Sequence, residues 1–131
     1  QAAALYEQVN GKAHPESIVI RNNYLAVVRD RGDVAAAVTG YTELLPLAET
    51  IFPAEATNLA VIRSNYGLSL ARLRRFEADE PLLIAGYRGL RKVLPADDPR
   101  LQVLRQRITQ SYRDWGHPER LSEVLADPET Q

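Results

Sequence analysis

The chain has 131 residues, 45% of them hydrophobic and 25% charged, with a formal net charge of −1. That is one domain's worth of chain with enough apolar material for its own core, and it excludes both disorder and a bulk electrostatic partner such as a nucleic-acid backbone or an anionic membrane. Cysteine is absent, which excludes disulfides, thiolate metal sites and thiol catalysis while leaving the cellular compartment open.

The opening residues QAAALYEQV have helical spacing but no capping residue and no initiating Met. They predict the end of a preceding helix over residues 1–10, in a fragment of a longer protein. No apolar run is long enough to span a bilayer, and no basic start leads into an apolar stretch, so neither a transmembrane helix nor a signal peptide is predicted. After the turn Gly11-Lys12-Ala13-His14-Pro15, a helix is expected from Ser17 to Arg31, with Ile18, Ile20, Leu25 and Val28 among its apolar positions and a stop at Gly32. A second is expected from Val34 to Phe52, ended by Pro53, which cannot continue it. The pair returns as Ala56–Arg74 and Phe76–Leu94, closed by Pro95. A last pair runs from Asp98 to Trp115, breaks at Gly116 and resumes from Pro118 to Ala126, with Pro118 in a first turn. Pro81 is early enough in its helix to be tolerated, whereas Pro46 is expected to bend its helix. No segment alternates long enough to predict a strand.

These pairs share a register of 42 residues. The sequence Arg21-Asn22-Asn23-Tyr24 returns as Arg63-Ser64-Asn65-Tyr66, and Arg105 falls 42 residues further on. Tyr24, Tyr66 and Ile108 form one column, Val28, Leu70 and Tyr112 another, and Val9, Ile51 and Val93 a third. Val34 matches Phe76, and position 32 (Gly) recurs as Gly116 two periods on. Helix pairs at a fixed period cannot bury their apolar faces alone, but stacked side by side they can. The chain is therefore expected to be all-α, one repeat domain over residues 1–131: an α-solenoid with units at 16–52 and 56–94 and a terminal unit at 98–126.

Particular motifs add a resemblance. Asn22-Asn23-Tyr24-Leu25-Ala26-Val27-Val28-Arg29-Asp30-Arg31-Gly32-Asp33 resembles the first helix of kinesin-light-chain-type tetratricopeptide repeats, N-N-L-A-x-x-Y-R-x-Q-G-x-Y. Phe76-Glu77-Ala78-Asp79-Glu80-Pro81-Leu82-Leu83 resembles that family's second helix, Y-x-E-A-E-P-L-L. Tyr112-Arg113-Asp114-Trp115-Gly116 is similar to Y-R-x-Q-G, and the Gly11–Pro15 turn to the linker G-x-x-H-P. The likeness spans essentially the whole chain, and the 42-residue period is also the family's. It departs where the family has a small buried residue in the second helix: that residue is Ala37 in the first unit but Asp79 in the second. The third unit has Arg107 in place of the Asn and a short second helix, as the end of an array would. The resemblance implies right-handed stacking and a non-catalytic protein-interaction module. It also implies, as an alternative, a regulatory region following a bacterial Ser/Thr kinase or transcriptional-regulator domain.

The residues that carry chemistry fit that expectation. His14 and His117 each precede a proline at a helix start and read as linker or cap residues; they are too far apart in sequence for a metal pair, and no metal or cofactor is expected. Glu77-Ala78-Asp79-Glu80 and Asp97-Asp98 lie at helix starts, where negative charge complements the helix dipole. Gly86 and Gly89 make no phosphate loop and read as close helix packing. The aromatics Tyr24, Tyr41, Tyr66, Phe76 and Tyr87 are assigned to packing columns, and Trp115 to a partly exposed position. By the register of the resembling family, a concave groove would be lined in unit one by Asn22, Asn23, Ala26, Arg29 and Asp30, and in unit two by Ser64, Asn65, Leu68 and Arg72. Unit three would add Gln106, Arg107, Gln110 and Arg113. Asn can pair with the backbone of an extended peptide, and Arg grips carboxylates, so Asn22, Asn23, Arg29, Asn65, Arg72, Arg107 and Arg113 are the expected contacts for a peptide or protein ligand, acidic or with a free C-terminal carboxylate. The competing reading is a set of solvated charges in which Asp30 and Asp114 neutralise neighbouring arginines. A homodimer formed through exposed repeat ends is a further alternative. Arg21, Arg63 and Arg105 stand where the family has an apolar residue, and are expected to run their stems over apolar surface toward the groove edge or toward acidic residues of adjacent helices.

Overall fold

The computed structural model describes residues 14–126, which form six helices and no strand. They are α1 (Pro15–Asp30), α2 (Val34–Ile51), α3 (Thr57–Arg72), α4 (Phe76–Val93), α5 (Pro99–Trp115) and α6 (Arg120–Ala126). No helix among the described residues is long and apolar enough to cross a membrane. The expected helix over residues 1–10, and with it Val9, lies outside the described residues.

The 42-residue register is written into the backbone as well as the side chains. Helices α1, α3 and α5 start after extended residues His14, Ala56 and Asp98, whose ψ angles are 136°, 136° and 131°. They end alike too. The N–H groups of Asp33, Arg75 and His117 return to the carbonyls of Val28, Leu70 and Tyr112 at 3.1, 2.9 and 2.9 Å, each spanning a left-handed residue. That residue is Gly32 (φ 103°), Arg74 (φ 60°) or Gly116 (φ 83°). This is the Schellman closure, which needs one residue at positive φ and so favours glycine. Helices α2 and α4 end on extended Phe52 and Leu94 before Pro53 and Pro95. Both run unbroken through their internal prolines, Pro46 and Pro81. Pro118, expected in the first turn of α6, lies instead in the turn that leads into it.

Each helix packs on its chain neighbours, and α1–α3 and α3–α5 also touch. Two buried clusters result. Ile18 and Leu25 of α1, Tyr41, Leu44 and Ala48 of α2, and Leu59 and Ile62 of α3 make the first. Ala60 of α3, Leu83, Tyr87 and Leu90 of α4, Leu101, Leu104, Ile108 and Tyr112 of α5, and Val124 of α6 make the second. Each of the large side chains buried here contributes roughly 1.5–3 kcal/mol by leaving water. Helix α3 serves both clusters, and it meets α4 through small residues. A β-carbon added at Gly86 would crowd the Ser64 hydroxyl and lie 2.9 Å from the Ala60 carbonyl oxygen, and one at Gly89 would lie 2.8 Å from the Ala60 β-carbon. Close packing is thus the use of both glycines.

Two column assignments change. Tyr41, Tyr87 and Phe76 are buried, but Tyr24 is 37% exposed. Tyr66, its counterpart, is half-buried because α2 backs it: its ring stacks on Tyr41 at 6.0 Å and its hydroxyl bonds Thr42 Oγ1 at 2.9 Å. Val93 is exposed while Ile51 is half-buried, so the third apolar column does not persist. Two of the column arginines turn toward the preceding second helix, Arg63 onto an acidic residue as expected and Arg105 onto a tyrosine instead. Arg63 Nη2 pairs with Glu49 Oε2 of α2 at 3.3 Å, and Arg105 Nε donates to the Tyr87 hydroxyl of α4 at 2.7 Å with its guanidinium 5.6 Å from that ring.

Candidate functional site: the α1–α3–α5 face

Three depressions run along this face and share walls. One, of about 190 Å³, lies between α1 and α3 and is lined by Val19, Asn22, Asn23, Thr57, Asn58, Val61 and Ile62. The next, about 310 Å³, lies between α3 and α5; it keeps Thr57 and Val61, has Leu68, Leu90, Leu94 and Leu104 as apolar lining, and is edged by Arg29, Asn65, Arg100 and Arg107. The last, about 180 Å³, continues past Leu68 and Arg107 to Arg72, Gln110 and Asp114. Together they make one furrow. No carboxylate lines its central part.

The structure divides the seven expected contact residues into two groups. Asn22 (6% exposed) and Arg29 (5%) are spent in the α1–α3 seam. Asn65 Nδ2 donates to Asn22 Oδ1 at 3.1 Å, and Arg29 Nη1 donates to the carbonyl and Oδ1 of Asn65, both at 3.3 Å. Arg29 Nε also donates to Asp30 Oδ1 at 3.1 Å, while Arg72 Nη1 crosses back to the Arg29 carbonyl at 3.0 Å. An amide both donates and accepts, so the half-buried Asn65 can complete Asn22 and Arg29 at once. In this seam the polar side chains first expected to meet a ligand also hold neighbouring units in register.

The other group faces outward. Asn23 is exposed on the wall of the α1–α3 depression. Arg107 is exposed where the two α3–α5 depressions meet. Arg113 is exposed on α5 but lines none of the three depressions. Arg100 was not among the expected contacts; it forks onto Asp98 through Nε and Nη2 at 3.0 and 2.9 Å, and this bonding holds the Asp98 carboxyl below the usual carboxylate range.

Of the apolar lining only Leu68 was among the expected groove positions, though the sequence carried a signal for more of it. Val19, Val61 and Val103 are 42 residues apart, and all three line the furrow. Val19 and Val103 remain 39% and 47% exposed. The column is exposed at its two ends, while half-buried Val61 between them also packs against the second core cluster.

The remaining polar candidates have structural partners. His14 caps α1, its Nδ1 accepting from the Glu16 N–H at 3.1 Å. His117 lies 3.2 Å from Glu119 Oε1 and edge-on to Trp115 at 4.8 Å. Half-buried Trp115 is stacked by Phe76 and Tyr112, with the Arg120 guanidinium 4.7 Å from its ring. Among the described residues, no group of three His, Asp or Glu side chains converges as a metal site would. In comparisons with known proteins, no family model matches the chain and no curated protein matches it.

Proposed function

We propose that this chain is a non-catalytic protein-interaction module: a right-handed α-solenoid of tetratricopeptide-like, kinesin-light-chain-type units that holds a peptide in the α3–α5 part of its furrow. The observation that carries the reading is the pairing of an apolar floor at Leu68, Leu90, Leu94 and Val103 with the exposed Arg107 on its rim. Such a floor takes an apolar side chain out of water, and the guanidinium of Arg107 stands where a peptide carboxylate, on a side chain or at the C-terminus, can reach it. The strict 42-residue backbone period and the α1–α3 and α3–α5 contacts support the stacking geometry.

Selection of acidic ten-residue peptides from a display library against the intact chain tests this. Binding of the selected peptides is then measured for Leu68→Glu and Arg107→Glu, with circular dichroism checking the fold. Each variant is expected to lose at least about tenfold in affinity, or about 1.4 kcal/mol. Undiminished binding by both folded variants contradicts the assignment. A dimer by light scattering that Leu68→Glu turns into a monomer moves the furrow's role to self-association.

A further inference from the structure

Asp79 is a carboxylic acid shut inside the protein. It is 2% exposed, on α4 where α5 crosses, at the register position that holds Ala37 in α2. Its hydrogen-bonding side-chain partner is the buried Ser111 of α5, whose hydroxyl donates to Asp79 Oδ2 at 3.1 Å. The next residue, Glu80, is already engaged. Its carboxylate accepts from the Tyr112 hydroxyl of α5 at 2.8 Å and from Arg120 Nη1 of α6 at 2.9 Å. Arg120 therefore compensates Glu80, and among the described residues no guanidinium or ammonium bonds Asp79.

We propose that the α4–α5 seam is a proton-controlled joint: Asp79 holds α5 and α6 closely on α4 when it carries its proton, and loosens them when it ionises. A neutral carboxyl with one hydroxyl partner sits comfortably between packed helices, whereas a buried carboxylate needs several donors or a cation. The charged or titratable groups that face it are Glu80 on its own helix and Tyr112 on α5, with Arg120 of α6 behind Glu80; α3 supplies no charge that acts on it. Burial first, opposed by the Ser111 bond and reinforced by Glu80, raises Asp79 from the ordinary 3.8 to about 7. The folded value exceeds the unfolded one, so the stabilisation is complete below about pH 4 and is lost as pH rises through 7. Opening the seam releases Asp79 to water, and α5 and α6 are the elements that leave.

Hydrogen exchange on the full chain at pH 6 and pH 8, expressed as protection factors, tests the joint. Wild-type amides of α5 are expected to lose protection by about tenfold over that interval, while α1 and α2 hold theirs. Asp79→Asn, which keeps a partner for Ser111 but cannot titrate, removes the pH dependence. Asp79→Ala, which installs the residue found at position 37, does the same and serves should the Asn variant fail to fold. Unchanged wild-type protection, an equal loss across α1 and α2, or the same tenfold loss in a folded variant would each overturn the proposal.

Discussion

Single residues show how strictly the period is kept and where the chain departs from it. Positions 14, 56 and 98 all have the extended backbone of an N-cap, and at two of them a side chain accepts an N–H from the first turn: His14 from Glu16 and Asp98 from Arg100. Ala56 has no such group. Ala56→Asp is therefore expected to stabilise the fold by about 1 kcal/mol, seen as a raised urea midpoint at unchanged slope. Position 74 departs in the other direction, holding an Arg in the left-handed conformation that glycine occupies at 32 and 116. Its guanidinium lies 5.1 Å from the Phe76 ring and donates to the Asp114 carbonyl at 3.2 Å, contacts that offset the strain. That closure was not legible in the sequence, since an Arg gives no sign of positive φ. The flanking closures at Gly32 and Gly116 were, because glycine at a helix end announces them.

At the scale of elements, seams between helices are made in two ways. The α3–α4 seam is close and apolar, set by small residues. Gly86→Ala is expected to destabilise by about 1–3 kcal/mol, because the added methyl group meets the Ala60 carbonyl and the Ser64 hydroxyl, one of them unyielding backbone. The α1–α3 seam is held instead by the Asn22–Asn65–Arg29 network. Asn65→Ala strands a buried amide and one partner of a buried guanidinium, and is expected to cost about 1–3 kcal/mol. Both costs are measured by denaturant unfolding. Helix order and most ends were legible because glycine or proline marks them, the closure of α3 at Arg74 being the exception. The use of Asn22 and Arg29 was not legible, because a polar residue on a first helix reads the same whether it faces solvent or a neighbouring helix. Only the cross-unit distances decide between these. Asp79 was visible in the sequence as a misfit against Ala37, but its partner Ser111, 32 residues away, was not.

At the scale of the whole molecule, the consequence is a narrower proposed binding surface than the register alone drew. Asn22 and Arg29 fasten units, Arg113 lines none of the depressions, and the proposed recognition surface contracts to the α3–α5 stretch around Leu68, Val103 and Arg107, with Asn23 on a separate wall. On that proposal the valine column extends the apolar lining for which the register had named Ala26 and Leu68. The central claim, that this furrow holds a peptide, is tested most directly by titrating isotope-labelled chain with a library-selected acidic peptide and following amide shifts by NMR. The account predicts shifts concentrated at Val61, Leu68, Val103 and Arg107, between α3 and α5. Shifts confined to the opposite side of α2 and α4, with those residues unmoved, would contradict it.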